Sequence, residues 1–440
     1  MAHPIARIAW RNVRRHWRHS LGSLLSIVVG FVSIVLFEGY LGDLVGIQAE
    51  WYSQRSMLGH VMVEHRDAWV RTGDDAPLSR ALQPEDQAVV DAFLAGHAGE
   101  VEARMRALAI GGLASTGRSG LIFAAWAYDV ADAARLRDRW AWNVSAGVPL
   151  QEAGDNSAIV AHTFAGLLDC QAPPPEGAIG LDGAPTGERR AFSCRQPRLQ
   201  LTATTASGQL NAIDPTIVGV FDAGLKSIDT KFVQLPLPLG QRLLDTQAVS
   251  FYSITLREPS RADDFAAALN AAAGEAGRPV RALRWDQHQY AEIYRRSMQV
   301  LGIYRTFVVL IVVTIAGMSV FSTVLKSVNE RVREIGTLRS MGYRRRHVAW
   351  LFALEAALLA LTASVLGLVA SLAIEAVINT AAITYGGGLA AQAIPLTVGL
   401  QPGTVLFAAG FLSAVAVAAA WAPARRASRL RIAEALATAA

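Results

Sequence analysis

From Thr306 to Leu325 the chain reads TFVVLIVVTIAGMSVFSTVL, without a single charge. About 20 apolar residues are what one helix needs to cross the hydrocarbon of a bilayer. A charged segment follows at once, Lys326–His347 (KSVNERVREIGTLRSMGYRRRH), and from Val348 the chain is apolar again. Inside that segment Val328, Val332, Ile335, Leu338 and Met341 recur every three or four residues. This spacing predicts one apolar helical face, with Glu330, Arg331, Arg333, Glu334 and Arg339 elsewhere around the helix. Gly342 suits the helix C-terminus, where a positive φ is often required, and Arg344, Arg345 and Arg346 open the next helix. On the residues alone, the segment either ties two spans together at the membrane surface or has a task of its own.

Of 440 residues, 52% are hydrophobic and 18% charged, against about 25% charged in a soluble domain. The deficit is concentrated in charge-free runs near the two ends. The net charge is +5, and arginine dominates, since the lysines are Lys226, Lys231 and Lys326. The basic clusters flank apolar runs instead of interleaving with aromatic residues, which argues against nucleic-acid binding.

Residues 1–20 contain a basic amphipathic segment, PIARIAWRNVRRHWRHS, which offers Ile5, Ile8 and Trp17 to a lipid interface. The first span is expected over 21–44. A secretory signal peptide also begins basic and then apolar, but this run is long and no small-x-small cleavage site closes it. Gly22, Ser26 and Gly30 form a small-residue stripe of the kind that lets membrane helices pack closely.

Residues 45–300 hold nearly all the carboxylates and most of the prolines. Leu199–Thr205, Ile217–Phe221, Phe232–Leu235 and Val249–Leu256 read as strands, and Pro84–Leu94, Val130–Trp140 and Arg261–Ala273 as helices. The fold class is thus an α-helical membrane domain of four spans with a large α/β domain inserted between the first two. A Pro- and Gly-rich loop, 171–198, is bracketed by Cys170 and Cys194. In an oxidising compartment these two would pair; elsewhere they would be buried thiols.

Trp285–Arg296 reads as a polar helix leading into the second span, 301–325, with Arg305 near its outer end. The turn 326–347 leads to the third span, 348–379, which is longer than a bilayer needs. Ala356, Ala360 and Ser364 mark its packing face, and Glu375 lies near its outer end. A loop, 380–403, precedes the fourth span, 404–422. Pro423 is expected to end it, and the tail 423–440 brings Arg425, Arg426, Arg429 and Arg431. The positive-inside rule then places both termini and the 326–347 turn in the cytoplasm and the 45–300 domain outside.

Enzymatic motifs do not emerge. None of the three lysines follows a glycine, so the chain read here has no P-loop. His16 with His19, and His60 with His65, lack a third ligand at convincing spacing, so no metal site is expected. No G-x-S-x-G elbow occurs. The reading is of a non-catalytic subunit that binds no cofactor.

ERVREIGTLRSMGYRRRHV followed by LFALEA resembles the cytoplasmic segment of MacB/FtsX/Lol-type ABC transporter permeases. The N-terminal WRNVRRHWRHSLGSLLSIVVG, the C-terminal WAPARRASRLRIAEAL and IVGVFDAGLKSIDTKFVQLPLPLGQRLL are similar to that superfamily too, most of all to its lipoprotein-releasing members. The resemblance implies a coupling helix that docks on a nucleotide-hydrolysing partner. Glu330, Arg331, Arg333, Glu334, Ile335, Leu338, Arg339, Met341 and Gly342 carry it here. It also implies two copies of a cytoplasmic ATPase that hold ATP and Mg, a second permease copy or paralogue, and a periplasmic carrier or adaptor, all at a bacterial inner membrane. In lipoprotein-releasing relatives the acylated cargo enters between the first two spans. By position that corresponds to Phe31, Phe37, Tyr40 and Leu44 with Leu301, Tyr304 and Phe307, which on their own read equally as lipid-facing or packing residues. FtsX-like mechanotransmission to a cell-wall hydrolase, and sensing of an antibiotic or peptide, are the competing functions.

Overall fold

In the computed structural model, residues 11, 17–70, 78–117, 120–180, 183–224, 226–381, 383–385 and 394–429 are described. Ile5, Ile8, His16 and Arg431, with most of the 1–20 segment, the tip of the 380–403 loop and the end of the tail, lie outside them. The chain divides into a membrane unit (Met1–Gly46, Ser297–Ile383, Pro395–Ala440) and an inserted domain (Ile47–Arg296, Thr384–Ile394).

In chain order, α1 (Trp17–Glu50) is followed by β1 (Val61–His65), α2 (Pro84–Gly96), β2 (Val101–Ser115), β3 (Gly120–Tyr128) and α3 (Val130–Arg137). Next come β4 (Ala146–Gly147), β5 (Ser157–Ala161), α4 (His162–Leu167), β6 (Cys170–Gln171), β7 (Ser193–Cys194), β8 (Gln200–Thr204), β9 (Leu210–Ile213) and β10 (Thr216–Phe221). Then α5 (Lys226–Asp229), β11 (Phe232–Pro236), α6 (Leu237–Leu244), β12 (Phe251–Leu256), α7 (Ala262–Glu275) and β13 (Val280–Arg284) complete the domain. The chain continues as α8 (Glu292–Glu330), α9 (Val332–Ser340), α10 (Arg345–Ala381) and α11 (Pro402–Ser428).

The inserted domain is built on one mixed sheet in the order β13-β1-β12-β2-β3-β11-β5-β10-β4, with β8 branching from β2 and β9 paired to β8. Every residue of β5 and β12 is buried, as expected of strands covered on both faces. Helix α2 begins where the sequence dictates. Pro84 occupies its first turn, and the Asp86 carboxylate accepts the Gln83 N–H at 2.9 Å.

The strands expected from alternation appear within two residues of their predicted ends. Two expectations are corrected. Val130–Trp140 is not one helix, because Asp138 takes φ +51 and the last three residues form a 3-10 turn. Trp285–Ala291 is a pair of 3-10 turns, with helix beginning only at Glu292. The β2–β3 hairpin, paired from Ala107↔Tyr128 to Ser115↔Gly120, gives no clear sequence signal. Its alanines and glycines (AIGGLAS, GLIFAAWAY) have little strand preference.

Four stretches of the described chain are long and apolar enough to cross a membrane: Ser20–Arg55, Gln289–Glu330, Arg345–Ala381 and Pro402–Ser428. Their packing uses small residues. Ala356, Ala360 and Ser364 are buried on α10, and Ala408, Leu412, Ala416, Ala420 and Ala424 form the buried stripe of α11. On α1, Ser26 Oγ lies 2.9 Å from Ser319 Oγ of α8, and a Cβ on Gly30 would meet Val312 at 2.8 Å. Gly22, expected in the same stripe, would have no neighbour within 4 Å and takes no part. Pro423 does not end the fourth helix; α11 continues through it to Ser428. A proline deletes one donor from the ladder, which a helix can survive near its end.

Cys170 and Cys194 face each other across β6 and β7 and are bonded, closing a loop with a sequence separation of 24. On the chain-entropy estimate that closure contributes about 3 kcal/mol. Intact-mass measurement of the unreduced, unfolded chain should therefore give a species two hydrogens lighter than the reduced one. Thiols that alkylate freely without reductant would refute the bond.

Candidate functional site

The stretch after the second span is the first place to look. Along α8 the residues Val312, Ala316, Val320, Val324 and Val328 are buried at four-residue spacing, so one face is committed to the membrane unit's core. The helix stops at Glu330. Arg331 leaves helical geometry (φ −117, ψ 22), and α9 restarts at Val332. It ends at Ser340, and Gly342 with φ +91 reverses the chain, a conformation that suits glycine. Tyr343 N–H donates to the Leu338 carbonyl at 3.2 Å, and Gly342 N–H to that of Arg339 at 3.1 Å.

This break changes what the sequence pattern meant. The expected single helix over 326–347 is the end of α8, a break and a nine-residue helix, α9. Val328 and Ile335 are buried, Val332 and Leu338 half-buried, and Met341 is 72% exposed because it lies past the helix end. Arg331 departs as well. The periodicity put it off the apolar face, yet it is buried at 8% exposure.

Its charge is met on two sides. Nη1 donates to both oxygens of Glu355 on α10, each at 3.1 Å, and Nε donates to Glu334 of α9 at 2.9 Å. The guanidinium also stands over the Phe352 ring, 5.7 Å from its centroid. At the other end of α9, Arg339 Nη1 donates to the Ser428 carbonyl of α11 at 2.9 Å. The helix is thus tied at its start to α10 and at its end to α11. Arg333, Glu334 and Thr337 are left exposed on its outer face, followed by Met341. Glu355 and Ser428 were not singled out from the sequence. A lone carboxylate in the apolar run LFALEAALL was the available signal, because such a group demands a partner.

The residues expected to hold cargo differ in their exposure. Phe31 is fully buried and packs on α10, where a Cβ on Gly367 would meet its ring at 2.6 Å; it belongs to the packed core instead of a groove between spans one and two. Leu44 is buried, and Phe37, Tyr40 and Leu301 are half-buried. Tyr304 and Phe307 are exposed at 61% and 58%. The structure adds an ion pair at this level, Arg305 Nε to Glu38, joining α8 to α1. Near the far end of α10, Asn379 brackets Val398 with two hydrogen bonds, and Leu400 N–H donates to Glu375 at 3.4 Å.

Within the inserted domain, the end of α1 and the start of α8 are held by polar and aromatic contacts. Glu50 accepts from Arg139 and from Trp140 Nε1, and Arg55 reaches Asp222 at 3.4 Å. Tyr52, Trp285 and Tyr294 stack with centroids 4.9–5.6 Å apart. Elsewhere a cavity of about 370 Å3 is lined by Trp69, Arg80, Phe251, His288 and Tyr290, with Glu64 buried among them. Glu64 accepts from His288 Nε2 at 2.9 Å, Trp69 Nε1 at 2.7 Å and Arg281. His60 is spoken for too, since its Nδ1 accepts the Leu256 N–H at 3.0 Å.

Residues 306–432 match the family model described as FtsX-like permease C-terminal. The macrolide export ATP-binding/permease protein MacB of Shigella sonnei is 30% identical over 153 residues, covering 35% of this chain and 22% of that protein. The Escherichia coli K12 protein of the same name is 29% identical over the same length, with the same coverage. The chain thus matches about a fifth of the length of these relatives. Among solved structures, the periplasmic region of MacB from Actinobacillus actinomycetemcomitans covers 55% of this chain and 92% of its own, at 6% identity and TM-score 0.32. The extracellular domain of YknZ from Gram-positive bacteria covers 51% and 100%, at 10% identity and TM-score 0.31.

Burial alone would raise the Glu64 pKa, but hydrogen bonds and charge from His288, with Arg281 and Trp69, outweigh it and hold the carboxyl below its ordinary value. A carboxyl depressed on folding adds stability above its unfolded pKa, about 4.3, and loses it as pH falls through the folded value. Thermal unfolding of the chain should therefore show a melting temperature that drops below about pH 4.5, with a smaller drop in Glu64→Gln. An equal drop in both would show that Glu64 is not responsible.

Proposed function

We propose that this chain, which belongs to the MacB/FtsX superfamily of ABC transporter permeases, is a membrane subunit that docks a separate ATPase through α9. ATP-driven closure of that partner then moves the inserted domain and drives a lipoprotein or other amphiphilic cargo out of the inner membrane. The observation that carries the reading is α9 itself, a short helix tied at both ends to neighbouring spans and presenting Arg333, Glu334 and Thr337 outward. Four spans enclose no pathway alone, so two copies, or one with a paralogue, would pair over two ATPase subunits that bind ATP and Mg. A carrier or adaptor would receive the cargo beyond the membrane. In this reading the termini and α9 face the cytoplasm and the inserted domain lies outside. Arg425, Arg426 and Arg429 at the end of α11 support that sidedness, as does the Cys170–Cys194 bond.

The docking arm is tested on α9. Ile335→Pro should break this helix at a cost of about 3 kcal/mol or more, and Glu334→Arg should reverse a charge on its outer face. Both variants should insert in membranes and lose ATPase stimulation in complex with the partner subunit. Wild-type rates in either complex would mean that α9 only links spans.

The cargo arm rests on Phe37, Tyr40, Leu301 and Tyr304, on the two spans joined by Glu38 and Arg305. Hydrocarbon already solvates an acyl chain, so burial gains little, and a site there must work by shape and by polar contacts. Phe37→Gln should impair cargo release while leaving ATP hydrolysis largely intact. Photo-crosslinkers at Tyr40 and Tyr304 should capture a lipidated or amphiphilic molecule from membranes. Capture of a partner protein alone, with a cell-wall or division defect in Phe37→Gln cells, would favour mechanotransmission to a wall hydrolase.

A further inference from the structure

We infer that Glu355 is a positioning residue for coupling: by pairing with Arg331 across the break between α8 and α9, it sets where α9 sits on α10. This rests on the docking reading above and adds to it the group that makes the docked helix an effective lever.

Where a helix is continuous, its hydrogen-bond ladder carries movement from turn to turn. At Arg331 the ladder is interrupted, for its N–H donates to Val328, three residues back, and its torsions leave the helical region. The orientation of α9 must then be fixed by side chains. Ile335 supplies burial, which resists separation but tolerates sliding. Arg331 supplies direction, because one nitrogen reaches both oxygens of a carboxylate on a different helix.

The surroundings are those of a pair that matters. Arg331 is 9% exposed along its side chain and Glu355 13%, whereas Glu334, the other acceptor, is 54% exposed and rides on α9 itself. Losing the Glu355 charge leaves Arg331 paired with Glu334 alone, which ties α9 to nothing beyond itself. Beside the pair, Ser20, Ser23, Thr323 and Ser327 line a cavity of about 40 Å3. Val320, Val324, Phe352 and Leu359 line it too, so the space is large enough for a water molecule while most of its wall is apolar.

The test uses the full chain, purified from its own host in lipid nanodiscs together with its bound ATPase subunit. Two quantities are read: hydrogen exchange of the 332–340 amides, and phosphate released per chain. Glu355→Gln should speed exchange in α9 and slow phosphate release, each by at least about tenfold. The charge swap Arg331→Glu with Glu355→Arg should bring both back to within about threefold of wild type. An apolar pair, Arg331→Met with Glu355→Leu, guards against simple unfolding because it keeps volume and removes both charges. It should retain protection in α10 and α11 while α9 still exchanges fast. Unchanged exchange of α9 in Glu355→Gln, or full recovery of both readouts in the apolar pair, would overturn the assignment. A wild-type chain that brings down no ATP hydrolysis counts instead against the docking reading, and the exchange arm still judges Glu355.

Discussion

A guanidinium at the edge of hydrocarbon must find a counter-charge or reach water. Insertion of an arginine at mid-membrane costs about 2.5–3.5 kcal/mol on biological scales, and an unpaired buried charge costs more than its partner's presence gains. Arg331 sits where α8 ends, so it has neither a fully aqueous nor a fully apolar neighbourhood. Glu355 answers it from the next helix, and that answer fixes the geometry around it. Beside Arg331, which is turned inward to Glu355, α9 begins at Val332 and leaves Arg333 and Thr337 exposed.

Much of the packing between the membrane unit's helices is less directional. Lipid tails are as apolar as leucine, so helices gain little from hiding side chains from them and depend on close fit. Phe31 on Gly367, Gly30 on Val312 and the alanine stripe of α11 supply that fit. The inserted domain is built differently. Its sheet buries whole strands, β5 and β12, by excluding water, and its polar groups, such as Glu64 with His288, Trp69 and Arg281, are satisfied inside.

That difference explains what could be read from the sequence. Charge-free runs are a length argument, and the four long apolar helices follow from it, whereas Pro423 misled because a rule about helix interiors was applied near an end. In the domain, β-branched strands such as IVGVF were legible, and the Ala- and Gly-rich hairpin of β2 and β3 was not, since its strand character comes from pairing. The α9 segment shows the limit most plainly. Periodicity assumes an unbroken helix, whereas the chain leaves the helical region at Arg331 and α9 ends at Ser340, before Met341. Side-chain partners across helices, Arg331 with Glu355 or Arg305 with Glu38, are not encoded by spacing along one of them.

Helix α1 runs to Glu50 and α8 begins at Glu292. Inside the domain their ends are gripped, by Glu50 on Arg139 and Trp140, by Arg55 on Asp222, and by the stack of Tyr52, Trp285 and Tyr294. A continuous helix is held in register by its own hydrogen-bond ladder. A broken one transmits only what its side-chain ties allow. On the proposed reading, the break at Arg331 lies beside the docking helix, where side-chain ties to α10 set the position of α9. A change to those ties would alter how α9 sits on α10.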